Sequence, residues 1–192
     1  MTERDAICCL PSSEMVENSG IREKSGAMSW KENVLVACDF AEHVLEAWRK
    51  GGGVVTWDCP GMAPEKLIEL VRRYVWGEVG EEEFLEGRKQ ARFVYPWGTE
   101  TIEFYALSAV KGAAFWRKAV PVREWGGAIH TARRCVEYAM MEVYLSPRKF
   151  VSYPPTSSVR RQLYYSTWRQ AITEAGAHEL GWQMRCVEGG GQ

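Results

Sequence analysis

The stretch from Pro121 to Leu145 constrains the fold more than any other part of the chain. Trp125, Ala128, Ile129, Ala132, Val136, Ala139, Met140 and Val143 recur at helical spacing over about five turns. A strand alternates with a period of two and scatters these residues over both faces, whereas an α-helix gathers them on one. The pattern predicts a long amphipathic helix that starts at Pro121 and stops before Ser146 and Pro147.

The same period recurs along the chain. Val34, Ala37, Cys38, Ala41, Leu45 and Trp48 predict a first helix, ended by Gly51, Gly52 and Gly53. This triple glycine lacks a Gly-Lys-Ser/Thr ending and follows a helix, so it reads as a stop and not a phosphate loop. Val54 to Trp57 reads equally as a brief strand or a buried loop. Pro64 suits a helix N-terminus, with Leu67, Leu70, Val71 and Tyr74 as its apolar face and Gly77 as its close. Glu81, Glu82 and Glu83 open a shorter helix, where carboxylates complement the positive end of the dipole. Thr101 to Lys118 is apolar nearly all round, which predicts a buried central helix, and Ser108, Gly112 and Ala113 allow close approach. Ser157 or Ser158 caps a further helix that runs to Gly176, and a short last helix holds Leu180, Trp182 and Met184.

These readings give an all-α chain: a bundle of about six or seven helices, or a stack of helical hairpins. Residues 1–31 read as a flexible leader because serines and glycines break any period there, leaving residues 32–188 as a single helical domain. A hydrophobic fraction of 46% in 192 residues suffices for one core. No run is long and apolar enough to span a membrane, and the first residues lack the pattern of a signal peptide. The expectation is a cytoplasmic protein with no membrane partner. Six dispersed cysteines without a C-x-x-C pair then read as reduced thiols.

Chemistry is sparse. The three histidines, His43, His130 and His178, fall on separate helices and belong to no metal or catalytic motif. No catalytic residue, metal or cofactor is expected. A formal net charge of -1 gives no global pull toward nucleic acid. Charge is nonetheless split along the chain. Acids dominate from Asp58 to Glu86, and bases dominate from Arg88 to Arg134. Either the two stretches pair with each other, or the acidic one docks a basic partner. On the docking reading, the contact residues are Trp76, Glu78, Glu81, Glu82 and Glu83. An alternative nucleic-acid surface would use Arg133, Arg134, Arg148, Lys149, Arg160 and Arg161.

Three segments resemble one family. They are Ala37-Cys38-Asp39-Phe40-Ala41-Glu42-His43-Val44-Leu45 followed by Trp48; Tyr74-Val75-Trp76-Gly77-Glu78-Val79 leading into Glu83 to Ala91; and Ala128-Ile129-His130-Thr131-Ala132 followed by Tyr138-Ala139. Residues 34–145 thereby resemble immunity proteins of bacterial polymorphic-toxin systems, the immunity-five-like group. The resemblance implies an all-helical antitoxin that neutralises a protein toxin by binding it, and carries over no functional residue. With the absent chemistry and the acidic stretch, it makes a non-enzymatic inhibitor that occludes a protein target the leading expectation. A phage-derived, anti-CRISPR-like inhibitor of a nucleic-acid-handling defence complex fits the same features, and a nucleic-acid-binding helical module is the third reading.

Overall fold

The computed structural model describes residues 12–52, 62–90, 102–114, 127–144 and 158–189, without the side chains of 12, 13, 102–104, 144 and 158–168. Eight helices and no strand are present among them. They are α1 (Ser12–Asn18), α2 (Ile21–Ala27), α3 (Trp30–Lys50), α4 (Pro64–Trp76), α5 (Glu81–Gln90), α6 (Ile102–Ala114), α7 (Ala128–Tyr144) and α8 (Ser158–Val187). The fold is all-α, as the periodicity predicts.

Three helices make the centre. α3, α6 and α7 pack against one another, α4 lies on α3 and α6, and α8 lies on α7. α5 packs on α4, while α1 and α2 rest on α7 and α8. The expectation of a buried helix in the region 101–118 is met in α6, where Tyr105, Ala106, Leu107, Ser108, Ala109, Val110, Ala113 and Ala114 are all buried. Gly112 explains how α7 comes so near. A Cβ there would lie 2.7 Å from Thr131 Oγ1 and 2.9 Å from His130 Cδ2, closer than real side chains approach.

Helix ends follow local chemistry. Ser29 and Glu32 form a reciprocal capping box at the start of α3. Pro64 occupies the first turn of α4. At the other end of α4, Gly77 takes φ 82°, its N–H donates to Tyr74 O, and the Glu78 N–H donates to Arg73 O. These two bonds satisfy carbonyls that the helix itself leaves open.

Three expectations need correction. Residues 12–31 are not a flexible leader: they hold α1, α2 and the start of α3, with Val16 and Ile21 fully buried in the core. Those two apolar residues anchor a segment whose serines and glycines suggested disorder; residues 1–11 lie outside the described residues. The central helix does not begin at Pro121. α7 starts at Ala128, because Gly127 takes φ 79° and so interrupts helical backbone, and its N–H donates to Gly112 O. Gly176 does not end a helix either. α8 runs through it without a break to Val187, so the two expected helices are one. Gly176 is there for proximity, since a Cβ would lie 3.1 Å from Met140 Cγ and Sδ and 3.3 Å from Met15 Cε. Val54 to Trp57, the expected helix positions Pro121 to Trp125, and the expected helix ends at Lys118 and Leu145 lie outside the described residues.

Candidate interaction surface

The corner between α4 and α5 collects the residues expected to bind a partner. α4 buries Leu67, Ile68, Leu70, Val71 and Val75, which fixes the opposite side toward solvent. Trp76, its last residue, stays 59% exposed. The left-handed Gly77 then reverses the chain, and Val79 plugs back into the core at 6% exposure. Glu78 is thereby turned outward, and Glu81, Glu82 and Glu83 form the exposed first turn of α5.

α5 is held to α4 by few but close contacts. The Tyr74 and Phe84 rings stack with centroids 4.3 Å apart and planes 8° from parallel. Arg88 lies over the Phe84 ring, its Cζ 5.3 Å from the centroid. Gly87 sits so near Leu70 that a Cβ would fall 2.3 Å from Leu70 Cδ2. The outer face of α5 then presents Leu85, 44% exposed, in an open depression shared with Glu81, Glu82, Glu83, Glu86, Arg88 and Lys89. Trp76 and Leu85 are two of the three large hydrophobic residues that stand exposed among the described residues; Trp30 is the third.

Charges at this corner are partly matched by cations of the same half of the molecule. Arg73 reaches Glu78 at 3.7 Å and Glu83 at 4.0 Å, Glu86 meets Lys89 at 3.1 Å, and Glu65 meets Arg49 at 2.9 Å. Deeper in, Arg72 bridges Asp39 and Glu42 on α3, each at 2.7 Å, and these hydrogen bonds hold its guanidinium pKa above the ordinary value against the opposing effect of burial. Glu81 and Glu82 make no ion pair among the described residues. An exposed ring and an exposed leucine within a field of carboxylates suit a partner that offers an apolar anchor and positive charge.

Of the alternative basic set, only Arg133 and Arg134 have described side chains. Arg133 Nε and Arg134 both reach the buried Glu137, at 3.0 and 2.7 Å, so a carboxylate sits between the two adjacent arginines. Arg160 and Arg161 lie in the first turn of α8, and Arg148 and Lys149 lie outside the described residues.

Of the three histidines, His43 is built into the packing of the bundle. His43 stacks on Trp182 with centroids 3.7 Å apart, and its Nε2 lies 3.2 Å from Glu179 Oε2. Glu179 is buried and accepts a second bond from Gln183 Nε2 at 2.9 Å, while the same nitrogen donates to Ala132 O at 3.2 Å. This network joins α3, α7 and α8. Sequence reading missed it because its members are distant in the chain and none belongs to a motif. His130 is half-buried, and desolvation, assisted by Arg134, lowers its pKa. His178 is exposed. Among the described residues no group of His, Cys, Asp and Glu is placed to hold a metal.

Cys38, Cys135 and Cys186 are free thiols; Cys8, Cys9 and Cys59 lie outside the described residues. Burial pushes Cys38 up to about 12 and Cys135 well above its ordinary value, and Cys135 Sγ donates to Phe40 O at 3.3 Å. No described helix is long and apolar enough to cross a membrane. Comparison with protein-family models, with curated proteins and with solved structures gave no match.

Proposed function

We propose that this chain is a non-enzymatic binding protein of the immunity or inhibitor type, acting in the cytoplasm by covering a basic surface of a protein target. The observation that carries the reading is the pair of exposed apolar residues at the α4–α5 junction: Trp76, 59% exposed, ends α4 two residues before Glu78, and Leu85, 44% exposed, shares an open depression with Glu81, Glu82 and Glu83. Carboxylates raise the rate of encounter with a basic partner, and an aromatic anchor that leaves water on docking slows its departure. The resemblance of residues 34–145 to immunity proteins of polymorphic-toxin systems supports the same reading. The experiment is capture of the target by the intact chain and by a variant with Glu81→Lys, Glu82→Lys and Glu83→Lys. Loss of capture by a folded variant supports the assignment; undiminished capture removes it.

A further inference from the structure

Methionine contributes to the fastening of the N-terminal helices α1 and α2 on the bundle, beside the fully buried Val16 and Ile21. Met15 Cε lies 3.3 Å from the position of a Cβ at Gly176 on α8, against which Met140 of α7 also packs. Met184 Cε lies 3.8 Å from the equivalent position at Gly20, the left-handed residue that joins α1 to α2. Met15 and Met184 are half-buried, whereas Met140 is fully enclosed. Each of the two helices has seven residues, too few to persist without tertiary contacts. Among the described residues their other fastenings include Val16, Ile21, the exposed Lys24–Glu188 pair and the bond from Asn33 Nδ2 to Ser25 O. Met28, which follows α2, is extended, so the segment joins α3 through non-helical backbone.

We infer that α1 and α2 form a redox-sensitive strap, released when the thioethers of Met15 and Met184 are oxidised by a peroxide. In the step with hydrogen peroxide, a sulfur lone pair attacks one oxygen, the O–O bond breaks and hydroxide departs, and the proton of the transferred oxygen passes to that hydroxide, leaving an S=O bond and water. Sulfur loses two electrons and the peroxide gains them. A sulfoxide is polar and bulkier than a thioether. At Gly176 the space beside Met15 is already filled by Met140, so an added oxygen on that side has no room without displacing it. Oxidation therefore opposes docking at both ends of the strap, while the enclosed Met140 is protected.

The test uses the full chain treated with hydrogen peroxide, with oxidised positions mapped by peptide mass spectrometry. Trypsin then reads strap release, because Arg22 and Lys24 lie within α2. Cleavage at these residues tracks the population of the undocked state. The expected result is oxidation at Met15 and Met184 ahead of Met140, with cleavage at Arg22 and Lys24 faster by about tenfold or more. A variant with Met15→Leu and Met184→Leu, a volume-conserving change, retains the strap and loses the peroxide response. Two results overturn the inference: unchanged cleavage in protein oxidised at both residues, or an equal peroxide response in the double-leucine variant.

Discussion

Asn33, in the first turn of α3, accepts a hydrogen bond on Oδ1 from the backbone N–H of Ala128 at 2.9 Å, across 95 residues of chain. Ala128 begins α7, so Asn33 serves that helix as a cap supplied from elsewhere in the fold. Its Nδ2 donates to Ser25 O at 3.2 Å, which ties α2 into the same junction. One buried amide therefore registers α2, α3 and α7 together.

Replacing Asn33 by alanine leaves a buried donor and a buried acceptor without partners. Urea denaturation should show a loss of about 1–3 kcal/mol. Asn33→Asp keeps the acceptor for Ala128 but removes the donor to Ser25 O, and it should also be destabilising. Wild-type stability for the alanine variant would show that the junction does not hold the helices in register.

Two glycines separate helix propensity from packing. At Gly112 a Cβ would meet Thr131 Oγ1 at 2.7 Å, and at Gly26 it would meet nothing within 4 Å. Gly112→Ala should lose about 1–3 kcal/mol through overpacking of the α6–α7 contact, despite the better helix former. Gly26→Ala should be neutral or stabilising by up to about 1 kcal/mol. Thermal melts of the two variants shifting in the same direction would contradict this reading of the central contact.

The contrast between those glycines also marks what the sequence could disclose. Period and punctuation located most helices, because an apolar stripe and a terminal Gly77 or a first-turn Pro64 act within one element. The same rules misread Gly176 as a stop: its purpose is contact with Met140, which no local pattern encodes. Ser29 and Glu32 spell Ser-x-x-Glu, a local signature of the α3 start, whereas the serines and glycines before them hide α1 and α2, whose burial of Val16 and Ile21 depends on distant helices. The corner residues Trp76, Glu78 and Glu81 to Glu83 were legible because they are near neighbours in sequence. Leu85 as an exposed residue was not, since only the packing of Phe84 and Gly87 on α4 decides which side of α5 faces water. The His43–Glu179–Gln183 network needed the docking of α8 on α3 before it existed at all.

Acid should weaken the start of α3. Hydrogen bonds from Ser29 hold Glu32 below the usual carboxylate range, its folded pKa lying under its unfolded one. Its contribution is therefore present above the unfolded pKa and is lost as pH falls through the folded value. Glu32→Gln should flatten the acid limb of the stability profile relative to the wild type. An identical pH dependence in the two proteins would show that this cap does not contribute.

Thiol chemistry offers a check on the core. Burial raises Cys38 to about 12 and raises Cys135 well above its ordinary value, so neither supplies thiolate near neutral pH. Cys186 is only partly buried, and its pKa is raised chiefly by that burial. Iodoacetamide under native conditions should label Cys186 well before Cys38 and Cys135, with peptide mass spectrometry as the readout. Early labelling of Cys135 would mean that α3 and α7 open more readily than their packing allows.

The most direct measurement of the binding proposal is target capture from the native host by the wild-type chain and by the Glu81→Lys, Glu82→Lys, Glu83→Lys variant, with Trp76→Ala alongside. Circular dichroism and thermal melts would first establish that both variants fold like the wild type, as expected for exposed residues. The proposal predicts that the wild type retains a basic protein, that charge reversal abolishes its capture, and that Trp76→Ala weakens it by about tenfold or more. A target retained equally by all three proteins would contradict it.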